Sequence, residues 1–172
     1  CVVSHLREIK DPMRTALAVR TVPNQSKIKV THLGMAHDGR SAARAIREMK
    51  QNPRYVWKGE VAGWQVRQEL KRSHLMVISS RAEGGANVIS EAVVAGVPVI
   101  ASKVDGNVGL LGKCYRGYYP VGNTKELRKV FLKAETDKAF IQSLAKQCNS
   151  IKSKFTGERE QESWAKLIKN IT

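Results

Sequence analysis

The chain has 172 residues, 42% of them hydrophobic and 26% charged, enough to bury one good core as a single domain. Thirty Lys and Arg against 15 Asp and Glu leave a net charge of +15, which attracts anions: nucleotides, nucleic acid or an acidic surface. No apolar run approaches the roughly 20 residues needed to span a bilayer, and the three cysteines lack the spacing of a metal site.

In chain order, apolar strand-like runs alternate with helical patterns. Residues 1–6 read as a strand; that opening, without a Met or a signal peptide, suggests a fragment of a longer protein or an isolated domain. Asp11 and Pro12 read as cap and first residue of a helix through Met13, Leu17 and Val19. A second strand runs from Ile28 to Leu33 and stops at Gly34. A helix from Ser41 to Gln51 places Ala42, Ala45, Ile46 and Met49 on one face. Tyr55–Trp57 is a short third strand ended near Gly59, and Trp64–Arg72 a helix. Leu75–Ser79 and Val97–Ala101 are the fourth and fifth strands, apolar throughout as for strands buried on both faces.

Tyr118–Val121 reads as a short edge strand, Asn123-Thr124 before Glu126 as a cap region, and the rest as helical. Gly157 breaks that stretch before a last helix with Trp164, Leu167 and Ile168. The fold class is α/β: a parallel sheet of about six strands with helices on both faces. Ligands bind such sheets at the carboxyl ends of the strands, so the loops of interest are 5–11, 34–39, 58–63, 79–88 and 102–111.

One of these carries the strongest signal. Glu83 and Glu91 bracket Gly84-Gly85-Ala86-Asn87-Val88-Ile89-Ser90, between a strand and a helix. The glycines permit close backbone approach. The amides of Ala86, Asn87, Val88 and Ile89 at a helix N-terminus suit a diphosphate. Glu91 is placed to accept from a ribose and Glu83 from hydroxyls of a sugar, so the segment suits a sugar joined to a nucleotide. Its bland counterpart is an ordinary strand–turn–helix with a solvent-facing Glu83 and a capping Glu91.

Ser80–Ala92, followed by Ala95-Gly96-Val97-Pro98-Val99-Ile100-Ala101-Ser102, resembles the Glu-x7-Glu signature of retaining glycosyltransferases with two Rossmann-like domains. The family is glycosyltransferase family 4, the glycosyl transferases group 1, of GT-B architecture. The likeness is to its C-terminal, nucleotide-sugar-binding domain over nearly the whole of residues 1–172. It implies that the first Glu contacts the donor sugar, the second the ribose, and the amides between them the diphosphate. Those roles carry to Glu83, Glu91 and the 87–89 backbone.

A second family element, Gly-Arg-Leu-x-x-x-Lys, reads here Ser4-His5-Leu6-Arg7-Glu8-Ile9-Lys10. Lys10 stands where the resemblance implies a phosphate-binding lysine. His5 replaces the Arg, and Arg7 is a candidate substitute. Cations here offset the charge of a leaving diphosphate; otherwise they are surface charge at a helix start. Gly59, with Glu60, Val61 and Ala62 after it, matches the segment that shelters the base, Trp64 packing nearby.

Asp105-Gly106-Asn107-Val108-Gly109-Leu110-Leu111-Gly112 is expected as a loop near the donor sugar. With His5-Leu6-Arg7 and residues 83–87 it resembles a narrower subgroup, the selenosugar synthases of selenoneine biosynthesis, which implies a UDP-sugar donor.

These readings describe the donor-binding half of a retaining glycosyltransferase, completed by an N-terminal acceptor-binding domain. The donor is a nucleotide diphosphate-sugar, with UDP favoured, and no cofactor or metal is implied, since Asp-x-Asp is missing. The reduced cysteines suit a cytoplasmic protein. No nucleic acid is expected, although a peripheral contact with an acidic surface fits the charge. His32, His37 and His74 read as structural. The alternatives are an epimerase or phosphorylase of the same architecture and a basic Rossmann-like nucleic-acid-binding module. A dinucleotide oxidoreductase is disfavoured because Gly-x-Gly-x-x-Gly does not follow the first strand.

Overall fold

The computed structural model describes residues 1–155; the predicted break at Gly157 and the helix with Trp164, Leu167 and Ile168 lie outside the described residues. Six strands alternate with helices: β1 (Val2–Val3), α1 (Met13–Val19), β2 (Val30–Leu33), α2 (Gly39–Gln51), β3 (Tyr55–Trp57), α3 (Gly63–Arg72), β4 (Met76–Ile78), α4 (Asn87–Val94), β5 (Val99–Ser102), α5 (Asp105–Leu111), β6 (Tyr118–Tyr119), α6 (Thr124–Thr136) and α7 (Lys138–Ile151).

All pairings between strands are parallel, in two three-stranded ladders, β1-β2-β3 and β4-β5-β6. Val77 N–H donates to the Cys1 carbonyl at 2.8 Å, and the Cys1 ammonium donates to the Leu75 carbonyl at 2.6 Å, so β1 and β4 meet at a seam. Across it the order is β3-β2-β1-β4-β5-β6, which reverses direction between β1 and β4. A crevice opens at such a switch point beyond the carboxyl ends of the strands.

The sheet is short because its registers are. β1 pairs only as Val2 with His32 and Val3 with Leu33, while Leu6 makes a separate bridge to Ala36. The central strands are buried on both faces, Met76, Val99, Ile100 and Ala101 at 0% exposure. They join Ala16, Leu70, Ile89, Leu127 and Leu144 in one hydrophobic core. Helices cover both sides: α1 packs on α6, and α4 packs on α5 and α7.

Four local expectations change. Asp11 does not cap α1 with its side chain; it sits in the left-handed region at φ 41° and its carboxylate takes Arg14 at 2.7 and 2.9 Å. Pro12 then occupies the N-cap. In α2, Ile46 is 47% exposed and Glu48 is buried instead, because Arg20 and Asn52 both donate to its carboxylate. Asp38 starts that helix two residues early by accepting from Ser41 N–H at 2.7 Å. Residues 105–111, expected as a loop, form α5, with the Asn107 amide tied back to the Ser102 carbonyl at 2.9 Å. The cap at Asn123 is found, accepting from Glu126 N–H at 3.0 Å.

Candidate functional site

The crevice at the switch point is a cleft of about 430 Å³ lined by the ends of β1, β2 and β4, the segment after β3 and the start of α4. Of the sequence-predicted site residues it brings together His5, Lys10, Glu60, Val61, Glu83, Gly85, Ala86, Asn87 and Val88. The size falls within the range of small-molecule sites.

At its base Lys10 Nζ donates to both carboxylate oxygens of Glu83, each at 2.7 Å. The Glu83 side chain is 5% exposed and that of Lys10 33%. Ser80 Oγ also donates to Glu83 Oε1. Backbone and hydroxyl bonds hold the two loops together: Arg81 N–H donates to the Ile9 carbonyl at 2.8 Å, and Ser79 Oγ to the Asp11 carbonyl at 2.7 Å. An ammonium has three donors and two are used here, leaving one to meet a ligand.

The opposite wall is the N-terminus of α4. Its N-cap, Ala86, has no side chain to bond the first amides. The amides of Gly84 to Val88 meet no acceptor among the described residues, whereas Ile89 N–H donates to the Ala86 carbonyl at 2.8 Å. Ile89 itself is 0% exposed. The run of amides without an acceptor therefore ends at Val88, and Ile89 anchors α4 in the core. Gly84 is exposed at the turn, and Glu91, one turn beyond Asn87 on the same helical face, is exposed with no side-chain hydrogen bond among the described residues.

His5 Nδ1 accepts from Met35 N–H at 3.2 Å, and the ring meets His37 edge-on at 5.2 Å. Gly59 turns the chain at φ 71° and its carbonyl accepts from Gly34 N–H at 2.8 Å, which places Glu60 and Val61 at the rim. Trp64 is 60% exposed, while Trp57 Nε1 donates to the Gly34 carbonyl at 2.8 Å. Arg7 stands outside the cleft, in an adjoining cavity of about 290 Å³ with Asp11, Arg14, Arg44 and Arg81.

Sequence reasoning missed three contributors. Ser80 is buried behind Glu83, and its only signal was the Ser-x-x-Glu spacing. The Lys10–Glu83 pair joins residues 73 apart, with no local signal. Gly106 abuts the Glu83 backbone so closely that a Cβ there would lie 2.1 Å from its carbonyl oxygen.

A further cavity of about 450 Å³ lies at the amino ends of the strands, bordered by Cys1, Val30 and Leu75 and away from the glycine turn. Among the described residues no three His, Cys, Asp or Glu side chains are arranged to hold a metal ion, and no helix is long and apolar enough to cross a membrane.

The fold recurs in solved structures. HepE of Anabaena in complex with UDP and glucose superposes with a TM-score of 0.81 at 21% identity, covering 95% of this chain and 47% of that one. Sucrose-phosphate synthase of Thermosynechococcus elongatus gives 0.81 at 19% identity, covering 99% and 45%. TarM of S. aureus, in a complex containing UDP, gives 0.78 at 20% identity, covering 96% and 34%. The chain thus spans less than half the length of these proteins. No curated protein sequence matches it. Residues 2–137 match the family model described as glycosyl transferases group 1, and the chain belongs to that glycosyltransferase family.

Proposed function

We propose that residues 1–172 form one donor-binding domain of a retaining glycosyltransferase that transfers a sugar from a UDP-sugar. The observation that carries this reading is the Lys10–Glu83 pair facing the uncapped α4 N-terminus across one cleft. A nucleoside diphosphate-sugar has matching parts. Its phosphates suit the amides of 85–88 and the remaining Lys10 donor; its sugar hydroxyls suit the buried Glu83 carboxylate; its ribose suits Glu91. Glu60 and Val61 border the base, with Gly59 setting their turn, and His5 borders the sugar–phosphate region. Arg7 contributes positive potential from the neighbouring cavity. The structures of HepE and TarM in complex with UDP support the choice of nucleotide.

In the transfer, the bond from the anomeric carbon to the β-phosphate oxygen breaks and its electron pair passes to the diphosphate. Lys10 and the α4 amides offset that charge where it develops. The acceptor oxygen then bonds to the anomeric carbon on the vacated face, and its proton passes to the departing β-phosphate oxygen. The acceptor-binding half lies outside this chain in this reading, and no metal is called on. Titration calorimetry of the 172-residue chain with UDP, UDP-glucose, GDP and ADP tests it. UDP binding that Lys10→Ala weakens is expected. Failure to bind any nucleotide, with salt-dependent DNA binding instead, would replace it with the nucleic-acid-binding alternative.

A further inference from the structure

Glu83 is held from behind by a buried hydrogen-bonded relay. Ser80 Oγ donates to Glu83 Oε1; the Ser80 carbonyl accepts from Ser102 Oγ at 2.6 Å; the Ser102 carbonyl accepts from Asn107 Nδ2 at 2.9 Å. Ser80, Ser102 and Asn107 are 1%, 0% and 0% exposed. The relay therefore runs from the segment just after β4 through the end of β5 into α5, and its three members are buried. Gly106 seals it, because only a residue without a Cβ lets α5 lie against the Glu83 carbonyl. Tyr118 Oη pins α5 by donating to the Asn107 carbonyl at 3.2 Å.

The carboxylate's two oxygens are thereby made unequal. Oε1 accepts from Lys10 and Ser80, whereas Oε2 accepts from Lys10 alone. A carboxylate oxygen has two lone-pair directions. Oε1 is filled, and Oε2 keeps one direction open. We propose that Ser80, backed by Ser102 and Asn107, is a positioning residue for the donor sugar: it fills Oε1 and turns the open lone pair of Oε2 toward the sugar hydroxyls. This inference rests on the reading of Glu83 as the sugar-contacting carboxylate. Without the Ser80 hydroxyl, the carboxylate keeps its Lys10 partner but loses its fixed rotation, so the sugar contact suffers and the nucleotide contacts do not.

The test measures UDP and UDP-glucose affinity of the 172-residue chain by calorimetry, for the wild type, Ser80→Ala, Glu83→Gln and the double variant. Ser80→Ala should weaken UDP-glucose by about tenfold, the loss of one hydrogen bond to a charged group, and change UDP by less than about twofold. The double variant should be no weaker for UDP-glucose than Glu83→Gln alone, since both act through one carboxylate. Ser80→Cys, nearly isosteric and a weak donor, should fall between wild type and Ser80→Ala, and it serves as the variant where Ser80→Ala does not fold. Equal losses for UDP and UDP-glucose, or additive losses in the double variant, would overturn the proposal while leaving the reading of the cleft intact. Wild-type chain that binds UDP but gains nothing from the sugar, with Glu83→Gln silent, would remove that reading and the proposal with it.

Discussion

His32 Nε2 lies 2.8 Å from the Ser4 carbonyl oxygen, so the buried imidazole of β2 ties down the segment that opens the cleft. Its Nδ1 lies 2.7 Å from Tyr55 Oη. The neutral tautomer with the proton on Nε2 satisfies both: Nε2–H donates to Ser4 and Nδ1 accepts from Tyr55.

Burial lowers the His32 pKa to about 4, from an ordinary value of 6.5, against the opposing effect of the Ser4 carbonyl. A folded-state pKa below the unfolded one means that the unfolded chain binds more protons between the two. The contribution is full above pH 6.5 and is lost as pH falls toward 4, amounting to about 3 kcal/mol. Urea unfolding at a series of pH values should show this loss, and His32→Gln should flatten it. An unchanged slope in the variant would place the acid sensitivity elsewhere.

Lys10→Ala should lower stability by about 2–4 kcal/mol, because it leaves a carboxylate that is 5% exposed without its cation. Adding Glu83→Gln should recover part of that loss, since a neutral amide is easier to bury than an unpaired charge. Denaturant midpoints of the two single variants and the double variant check this. Strictly additive losses would mean that the pair is not coupled.

Arg7→Ala should reduce UDP affinity less than Lys10→Ala does. Arg7 lines the neighbouring cavity, whereas Lys10 lines the cleft itself. Repeating the titrations at high salt separates the two further, because a long-range contribution is screened and a direct one is screened less. Equal effects at both salt concentrations would put Arg7 against the phosphates.

Gly34→Ala should destabilise the chain by more than about 3 kcal/mol. The residue has φ 143°, and a Cβ would lie 2.0 Å from the Ser4 carbonyl oxygen, a backbone atom that cannot step aside. Gly59→Ala, at φ 71° with open space around it, should cost less, about 1 kcal/mol. Thermal melts of the two variants rank them, and a reversed order would contradict the packing of β1 on β2.

Glu91→Ala should weaken UDP by about 1–2 kcal/mol and leave the fold unchanged, since its exposed carboxylate makes no side-chain hydrogen bond among the described residues. Equal weakening of uracil, which has no ribose, would exclude the ribose contact.

What the sequence by itself determined was the local grammar. The apolar runs at Leu75–Ser79 and Val97–Ala101 read as strands buried on both faces, and they contain the buried β4 and most of β5. Asn123 before Glu126 read as a cap because that chemistry acts over three residues. The Gly84-Gly85 turn before an apolar helix was visible for the same reason: amide exposure at a helix start is a property of a few consecutive residues. Tertiary structure decided what lies far apart in sequence. Lys10 and Glu83 meet only because β1 and β4 are neighbours at the seam. Asp105–Leu111 is a helix because Ser102, Tyr118 and the Glu83 backbone hold it, although two internal glycines weaken its intrinsic preference. Glu48 is buried in place of Ile46 because Arg20 and Asn52 reach its carboxylate, which a 3.6-residue period does not encode. Periodicity reports which face of an element prefers water. Which charges face each other across a sheet is set by strand order, and strand order is a global property of the packed chain.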